Sequence, residues 1–263
     1  MEILVCIKEV PVTSTVTIDP ESGKLNRDKA KSQINPPDMH ALQAALDIKK
    51  KSGGKVTVIT MGPETAKESL RECITLGADV GYLVSDEHYM GADTLATSYA
   101  LAKAAQHLGD FDLVFTGTQT LDGDTGQVGP ELAERLGLAQ VTYVNKIEEH
   151  KEDALIVTRY NQDLVEKIEV KLPALLTITR DANEIGKPNI KSKMAAKKAT
   201  FEDLTPDIIG AEDSKIGSKG SPTEVVEIYE PEELEKGVII QEGTEEESVK
   251  KLVDILVEKQ LIG

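Results

Sequence analysis

The sequence predicts an α/β fold: a mainly parallel sheet flanked by helices, with added antiparallel strands and a C-terminal arm. Three observations carry this. Up to Leu136, short runs rich in Val, Ile and Leu alternate with helical patterns. Those runs are too apolar to face water on either side, as strands of a covered parallel sheet are. After residue 138 the rhythm changes to strands separated by polar turns, and after Phe201 to an acidic, irregular stretch.

The elements follow in order. "EILVCIKEV" (2–10) reads as a buried first strand, and "TVTIDPESGKLNR" (15–27) as a hairpin turning at Pro20–Gly23. "NPPDMHALQAALDIKKKSGG" has Asn35 at the N-cap position, prolines at the start and Gly53–Gly54 at the end. Met39, Leu42, Ala45 and Leu46 mark its apolar face. "KVTVITMG" is a second strand. The helix "PETAKESLRECITLGAD" places Ala66, Leu70, Cys73 and Ile74 together and stops at Gly77. "VGYLVS", the Ala-rich "GADTLATSYALAKAAQHLG" and "DLVFTG" continue the alternation, and Val128, Leu132 and Leu136 mark another helix. "VTYVNKIEE", "ALIVTRY", "LVEKIEVKL" and "ALLTITR" read as four strands, an antiparallel addition to the same sheet or a small sheet beside it. "GKPNIKSKMAAKKA" carries five lysines and no acid, either a solvated helix face or a docking element. In the last helix, "TEEESVKKLVDILVEKQ", Thr244 and Glu247 fit a capping box above a stripe of Val249, Leu252, Val253 and Leu256. The expected division is an α/β domain over 1–200 and an arm over 201–263. The arm has too few apolar residues for a core of its own and is expected to pack on another chain.

Composition narrows the function. A formal charge of −16 argues against binding nucleic acid or an anionic membrane, which present like charge. No apolar run approaches the ~18 residues of a membrane span, and "MEILVCIKEV" lacks the basic start of a signal peptide. Cys6 and Cys73 form no CxxC pair or disulfide framework, which fits a reducing compartment. A soluble cytoplasmic protein is expected. The four histidines have no metal-ligand spacing and no nucleophile–base signature appears. Redox chemistry, if any, needs a cofactor.

One stretch stands out: "TGTQTLDGDTGQVGPELAERL" (116–136). Gly117, Gly123 and Gly126 allow positive φ and close backbone approach. Asp124 or Thr125 can cap the next helix. Pro130 has no N–H, so the amides of roughly 123–129 are candidates to stay free for an anion. The stretch is neither a Walker A loop nor GxGxxG. Asp122 and Asp124 would repel a phosphate at contact, so they hold the loop or accept from hydroxyls. A nucleotide site and a plain turn both remain open on spacing. In "GADTLATS" (91–98), Asp93 or Thr94 can cap a helix, while Thr94 and Thr97 share one face and can offer hydroxyls to a ligand.

Together these segments resemble the beta-subunit family of electron-transfer flavoproteins, over nearly the whole chain. "ILVCIKEVP", "INPPDMHALQAAL", "VTVITMGPETAKESLRECITLGAD", "GTQTLDGDTGQVGPELAERLG" and "KLPALLTITRDANEIGKPNIKSKMAAKK" carry the resemblance. It implies a Rossmann-like, adenine nucleotide alpha hydrolase-like domain and a heterodimer with a flavin-bearing alpha subunit. One branch of the family binds AMP in this subunit, and the electron-bifurcating branch binds a second FAD with NADH as electron donor. The short loop "DGDTGQVGP" and the segment "SDEHYMGADTLATSYALA" are similar to the bifurcating branch. The implied partners are a flavin-dependent dehydrogenase and ferredoxin or flavodoxin.

By resemblance, Cys6 meets the adenosine half through its backbone, with Asn35 and Asp38 on the same side and Met61 and Gly62 beneath. Gly117, Gln119, Asp122, Gly123, Asp124, Thr125, Gly126, Gln127 and Val128 surround ribose and pyrophosphate. Asp93, Thr94 and Thr97 face the isoalloxazine ring. Two positions depart from the family. Lys187 stands where a leucine often anchors an acyl-CoA dehydrogenase, and a lysine fills an apolar pocket only at a cost. This departure counts against an acyl-CoA dehydrogenase as the implied partner and leaves open another flavin-dependent dehydrogenase, for instance one of 2-hydroxy acid type. Thr118 stands where a basic residue is common. The rival readings are a carrier subunit holding structural AMP and a stand-alone adenine-nucleotide binding module.

Overall fold

The computed structural model describes residues 1–12, 32–226 and 237–262; the hairpin expected at 15–27 lies outside them. The apolar runs become strands β1 (Glu2–Ile7), β4 (Lys55–Met61), β5 (Val80–Val84), β6 (Leu113–Gly117) and β10 (Ala174–Ile178). Successive residues of β1 face opposite sides, so Ile3, Val5 and Ile7 enter one core and Leu4 and Cys6 the other. The first core lies under α1 (Pro36–Ser52) and α2 (Lys67–Leu76), with Leu42, Leu70, Phe115 and Leu176. The second lies under α3 (Thr94–Leu108) and α4 (Val128–Leu136), with Ile59, Val114, Leu132 and Leu175. Two covered faces explain why these strands show no polar alternation.

The remaining strands are β2 (Glu9–Pro11), β3 (Ser32–Ile34), β7 (Ala139–His150), β8 (Ala154–Asn161), β9 (Leu164–Lys171) and β11 (Glu202–Asp203). The main sheet has the order β11-β5-β4-β1-β6-β10-β7-β8-β9. All neighbours from β11 to β7 are parallel. Only β8 and β9 are added antiparallel. The four strands after residue 138 thus join the same sheet, but β10 is not part of the antiparallel addition. It inserts between β6 and β7, and its five residues are all buried, as a central strand requires. The end of the expected first strand separates as β2, which pairs antiparallel with β3.

The lysine-rich run forms α5 (Ile190–Lys198), whose Asn189–Ser192 capping box starts it and which packs on α2. There the Arg71 guanidinium donates to the carbonyl of Ala196 at 2.7 Å and lies over the Phe201 ring. The chain then adds β11 beside β5 and buries Leu204, Ile209 and Ile216, with Ile209 ending the short α6 (Pro206–Ile209). Two compact units result, Met1–Glu227 and Ile228–Gly263. The division falls later than residue 200 because those apolar residues pack into the second core, within the first unit. In the second unit, α7 (Glu245–Glu258) has the expected Thr244–Glu247 capping box and buries no residue.

Phe115 is fully buried at the centre of the sheet. Phe115→Ala is expected to cost about 3–5 kcal/mol, measured as a lower urea midpoint at unchanged m-value.

Candidate functional site at the strand-order switch

From β1 the chain winds through α1 and α2 to β4 and β5; α3 then carries it back to β6 on the other side of β1. Connections leave β1 and β6 in opposite directions, which opens a crevice at their carboxyl ends. The strands part early. Their pairing ends at Val5–Phe115, while β6 continues along β10 to Gly117–Ile178. Cys6 and Ile7 therefore pair with β4 alone. The Cys6 thiol is buried, and burial raises its pKa; only its backbone edge turns to the crevice.

The start of α1 holds the two strand ends. The Asp38 carboxylate accepts from the amides of Lys8 (2.7 Å) and Gly117 (3.0 Å) and from Asn35 Nδ2 (3.0 Å). Asn35 N–H donates to the Lys8 carbonyl at 2.9 Å. Its side chain donates to the Gln119 carbonyl at 2.8 Å and accepts from the Leu121 amide at 3.2 Å. Asn35 occupies the N-cap position but makes no side-chain cap bond, because its amide group holds the 117–121 loop instead. Asn35 and Asp38 are both buried, and desolvation pushes the Asp38 pKa up to about 7 against the hydrogen bonds from Asn35, Lys8 and Gly117. A side chain at Gly117 would overlap Asp38 Oδ1 and come within 2.7 Å of Pro37 Cβ.

The loop beyond is tied down by its own acids. Lys8 Nζ pairs with Asp122 at 2.7 Å. Partial burial acts to raise Asp122, but the bonds from Lys8 and Thr120 hold it below the usual carboxylate range. Asp124 adopts φ 51° and accepts from Gln119 Nε2 at 2.7 Å. Neither Asp124 nor Thr125 caps α4; the N-cap position belongs to Gln127, without a side-chain bond. The left-handed turn at Asp124 directs its carboxylate back to Gln119, and Gly126 at φ 65° separates both residues from the helix. The backbone amides of Thr125, Gly126, Gln127, Val128 and Gly129 consequently donate to nothing among the described residues. Those of Gly123 and Asp124, also expected free, are used inside the turn. A Cβ at Gly129 would lie 2.7 Å from both Thr116 Oγ1 and Thr177 Cγ2, so the helix start sits directly on the ends of β6 and β10.

The start of α3 lies beside that of α4. Asp93 caps α3, its carboxylate accepting from the Ala96 amide at 3.0 Å. Thr94 Oγ1 lies 3.1 Å from Gln127 Oε1 and 3.2 Å from Glu131 Oε1. Thr97 is half-buried one turn on. Met61 ends β4 against the second core, and the Gly62 amide is spent on the Val84 carbonyl at 3.1 Å. The structure thus brings residues 91–97 and 117–128 to one end of the sheet, at the carboxyl ends of β1, β4 and β6. Sequence reasoning missed Lys8, whose partner lies 114 residues away, and the contacts of Ser221 and Thr223 with Asp93. No local pattern signals either.

A doubly wound α/β protein with glycines and unspent amides at its switch point has the form of an adenine-nucleotide or dinucleotide binder. The five free amides, and acids already engaged by Lys8 and Gln119, fit a phosphate-bearing cofactor. Residues 22–209 match the family model for the electron transfer flavoprotein domain. The chain belongs to the electron transfer flavoprotein family. It is 46% identical, over the whole of both chains, to the electron transfer flavoprotein subunit beta of Thermoanaerobacterium thermosaccharolyticum. It is 40% identical to that of Megasphaera elsdenii over 98% of this chain and 97% of the relative. It is also 42% identical, over all of both chains, to the caffeyl-CoA reductase-Etf complex subunit CarD of Acetobacterium woodii. No described helix is long and apolar enough to cross a membrane.

A folded-state pKa raised to about 7 means that the Asp38 contribution to stability is complete below its unfolded value of 3.8 and is lost as pH rises through 7. Asp38→Asn sets an NH2 donor against a backbone N–H. At pH 4 it is expected to cost about 1–3 kcal/mol. The wild type should then lose its advantage over the variant by pH 8, read as converging or crossing urea midpoints. A gap that widens with pH would contradict this account.

Proposed function

We propose that this chain is the beta subunit of a heterodimeric electron-transfer flavoprotein and that its switch-point crevice holds FAD. NADH is the electron donor. Electrons pass to the alpha-subunit flavin and its dehydrogenase on one branch and to ferredoxin or flavodoxin on the other. The observation that carries this reading is the run of five unspent amides from Thr125 to Gly129, at the start of α4 and next to the parted strands β1 and β6.

In this reading each residue has a role. The amides of 125–129 and the dipole of α4 receive pyrophosphate. Gly117, Gln119, Asp122, Gly123 and Asp124 shape the loop around the ribose. The backbone of Cys6, with Met61 and Gly62, borders the adenosine side, and Asn35 and Asp38 brace it from behind. Asp93, Thr94 and Thr97 offer polar groups toward the ring. A bound flavin supplies the electron chemistry, for which this chain provides no side chain. The chain's own task is to bind, orient and electrostatically tune. Relatives named as subunits of a caffeyl-CoA reductase complex and an acryloyl-CoA reductase favour an acyl-CoA dehydrogenase partner over a 2-hydroxy acid one.

The test is to co-express the chain with its alpha subunit, release the nucleotides and count them. Two FAD and no AMP per heterodimer is the expected result. One FAD and one AMP would make the loop a structural nucleotide site and the chain a simple carrier.

Val249, Leu252, Val253 and Val257 of α7 are exposed, which supports the C-terminal unit as the part that docks on the alpha subunit. Deleting residues 228–263 leaves the first compact unit whole and is expected to abolish co-purification with the alpha subunit. Full recovery of the complex would refute that assignment.

A further inference from the structure

The carboxylate of Asp93 does more than cap α3. One oxygen accepts from the Ala96 amide at 3.0 Å, which satisfies the helix start. The other accepts from Thr223, from its hydroxyl at 2.9 Å and its amide at 3.3 Å. The Asp93 amide donates to Ser221 Oγ at 2.8 Å. A residue 130 positions downstream thus secures the residue immediately before Thr94. Burial acts to raise the Asp93 pKa, but the bonds from Ala96, Thr223 and Ser221 outweigh it and keep the group charged.

The Thr223 hydroxyl bonds to Asp93 and to no described group of its own segment, whereas Ser221 Oγ also donates to the Gly217 carbonyl at 2.7 Å. The strap 216–223 is anchored upstream by buried Ile216 and by the Ser218 amide, which donates to the Met90 carbonyl at 2.9 Å. Gly217, at φ 54°, lies so close to the His88 carbonyl that a Cβ would overlap it. Ser221 and Thr223 act beyond that anchor, on Asp93. Thr94 in turn reaches Gln127, whose own amide is one of the five left free. A continuous path of bonded groups therefore runs from the strap through the start of α3 to the start of α4.

We propose that Ser221 and Thr223 are positioning residues of the nucleotide site, acting through Asp93 to fix Thr94 and the start of α3 against the loop at the start of α4. This rests on the reading that the loop holds a nucleotide.

The test uses the full heterodimer carrying Thr223→Val, Thr223→Ser or Ser221→Ala, with FAD and AMP retained during dialysis quantified by chromatography. Thr223→Val is expected to release the nucleotide of this chain about tenfold faster, the factor carried by one hydrogen bond to a charged group. Thr223→Ser restores the hydroxyl and should stay within about twofold of wild type, since the bond is retained. With saturating nucleotide present, Thr223→Val and Thr223→Ser should share the wild-type thermal midpoint, because the strap keeps its upstream anchor. Equal retention in Thr223→Val and wild type would overturn the proposal, as would a Thr223→Ser variant as leaky as Thr223→Val. Wild type that holds one FAD and takes up neither added FAD nor AMP would instead overturn the nucleotide reading itself.

Discussion

The arrangement depends on one buried side-chain pair. The side chains of Asn35 and Asp38 take the amides of Lys8 and Gly117 and the carbonyl and amide of the loop at Gln119 and Leu121, and the Asn35 N–H takes the Lys8 carbonyl. Where β1 and β6 diverge, each loses a sheet partner, and unpaired backbone groups away from water are costly. The first turn of α1 supplies the replacement partners. The strands can therefore separate with the Lys8 amide and carbonyl and the Gly117 amide still bonded.

That constraint explains the density of small polar residues between Thr116 and Pro130. Gly117 must lack a side chain because Asp38 and Pro37 occupy the space. Asp122 and Asp124 are spent on Lys8 and Gln119, so their charges shape the turn. Gly129 lets the helix rest on the strand ends. Pro130 removes the next donor. What remains toward solvent is a short row of amides at a helix start, a partial positive charge made without a lysine or arginine.

Much of this was legible in the sequence, for identifiable reasons. Strands covered on both faces have a composition unlike other segments, and helix starts at Asp93 and Thr244 follow from local side-chain chemistry. The position of β10 was not legible, because four strands in succession do not say which of them re-enters the parallel sheet. Nor was the failure of Asp124 and Thr125 to cap α4, since a left-handed turn decides it. Lys8, Asn35 and Asp38 lie far in sequence from the loop they hold. Composition could suggest that the loop is exposed for a ligand, but only the fold shows which of its amides are already used.

The antiparallel extension has a consequence for solubility. The sheet is open at both ends, and an open edge invites another chain to pair with it. At one end β11 has two residues, too short to template pairing. At the other, β9 has eight, but Glu166 and Glu169 are already held by Arg159 and Lys151, and Lys167 and Lys171 stand between and beyond them. A copy of this chain adding there would meet an identical row of charges. The sheet can end in water without a cap, and pairing between chains is left to the surfaces that carry no such guard.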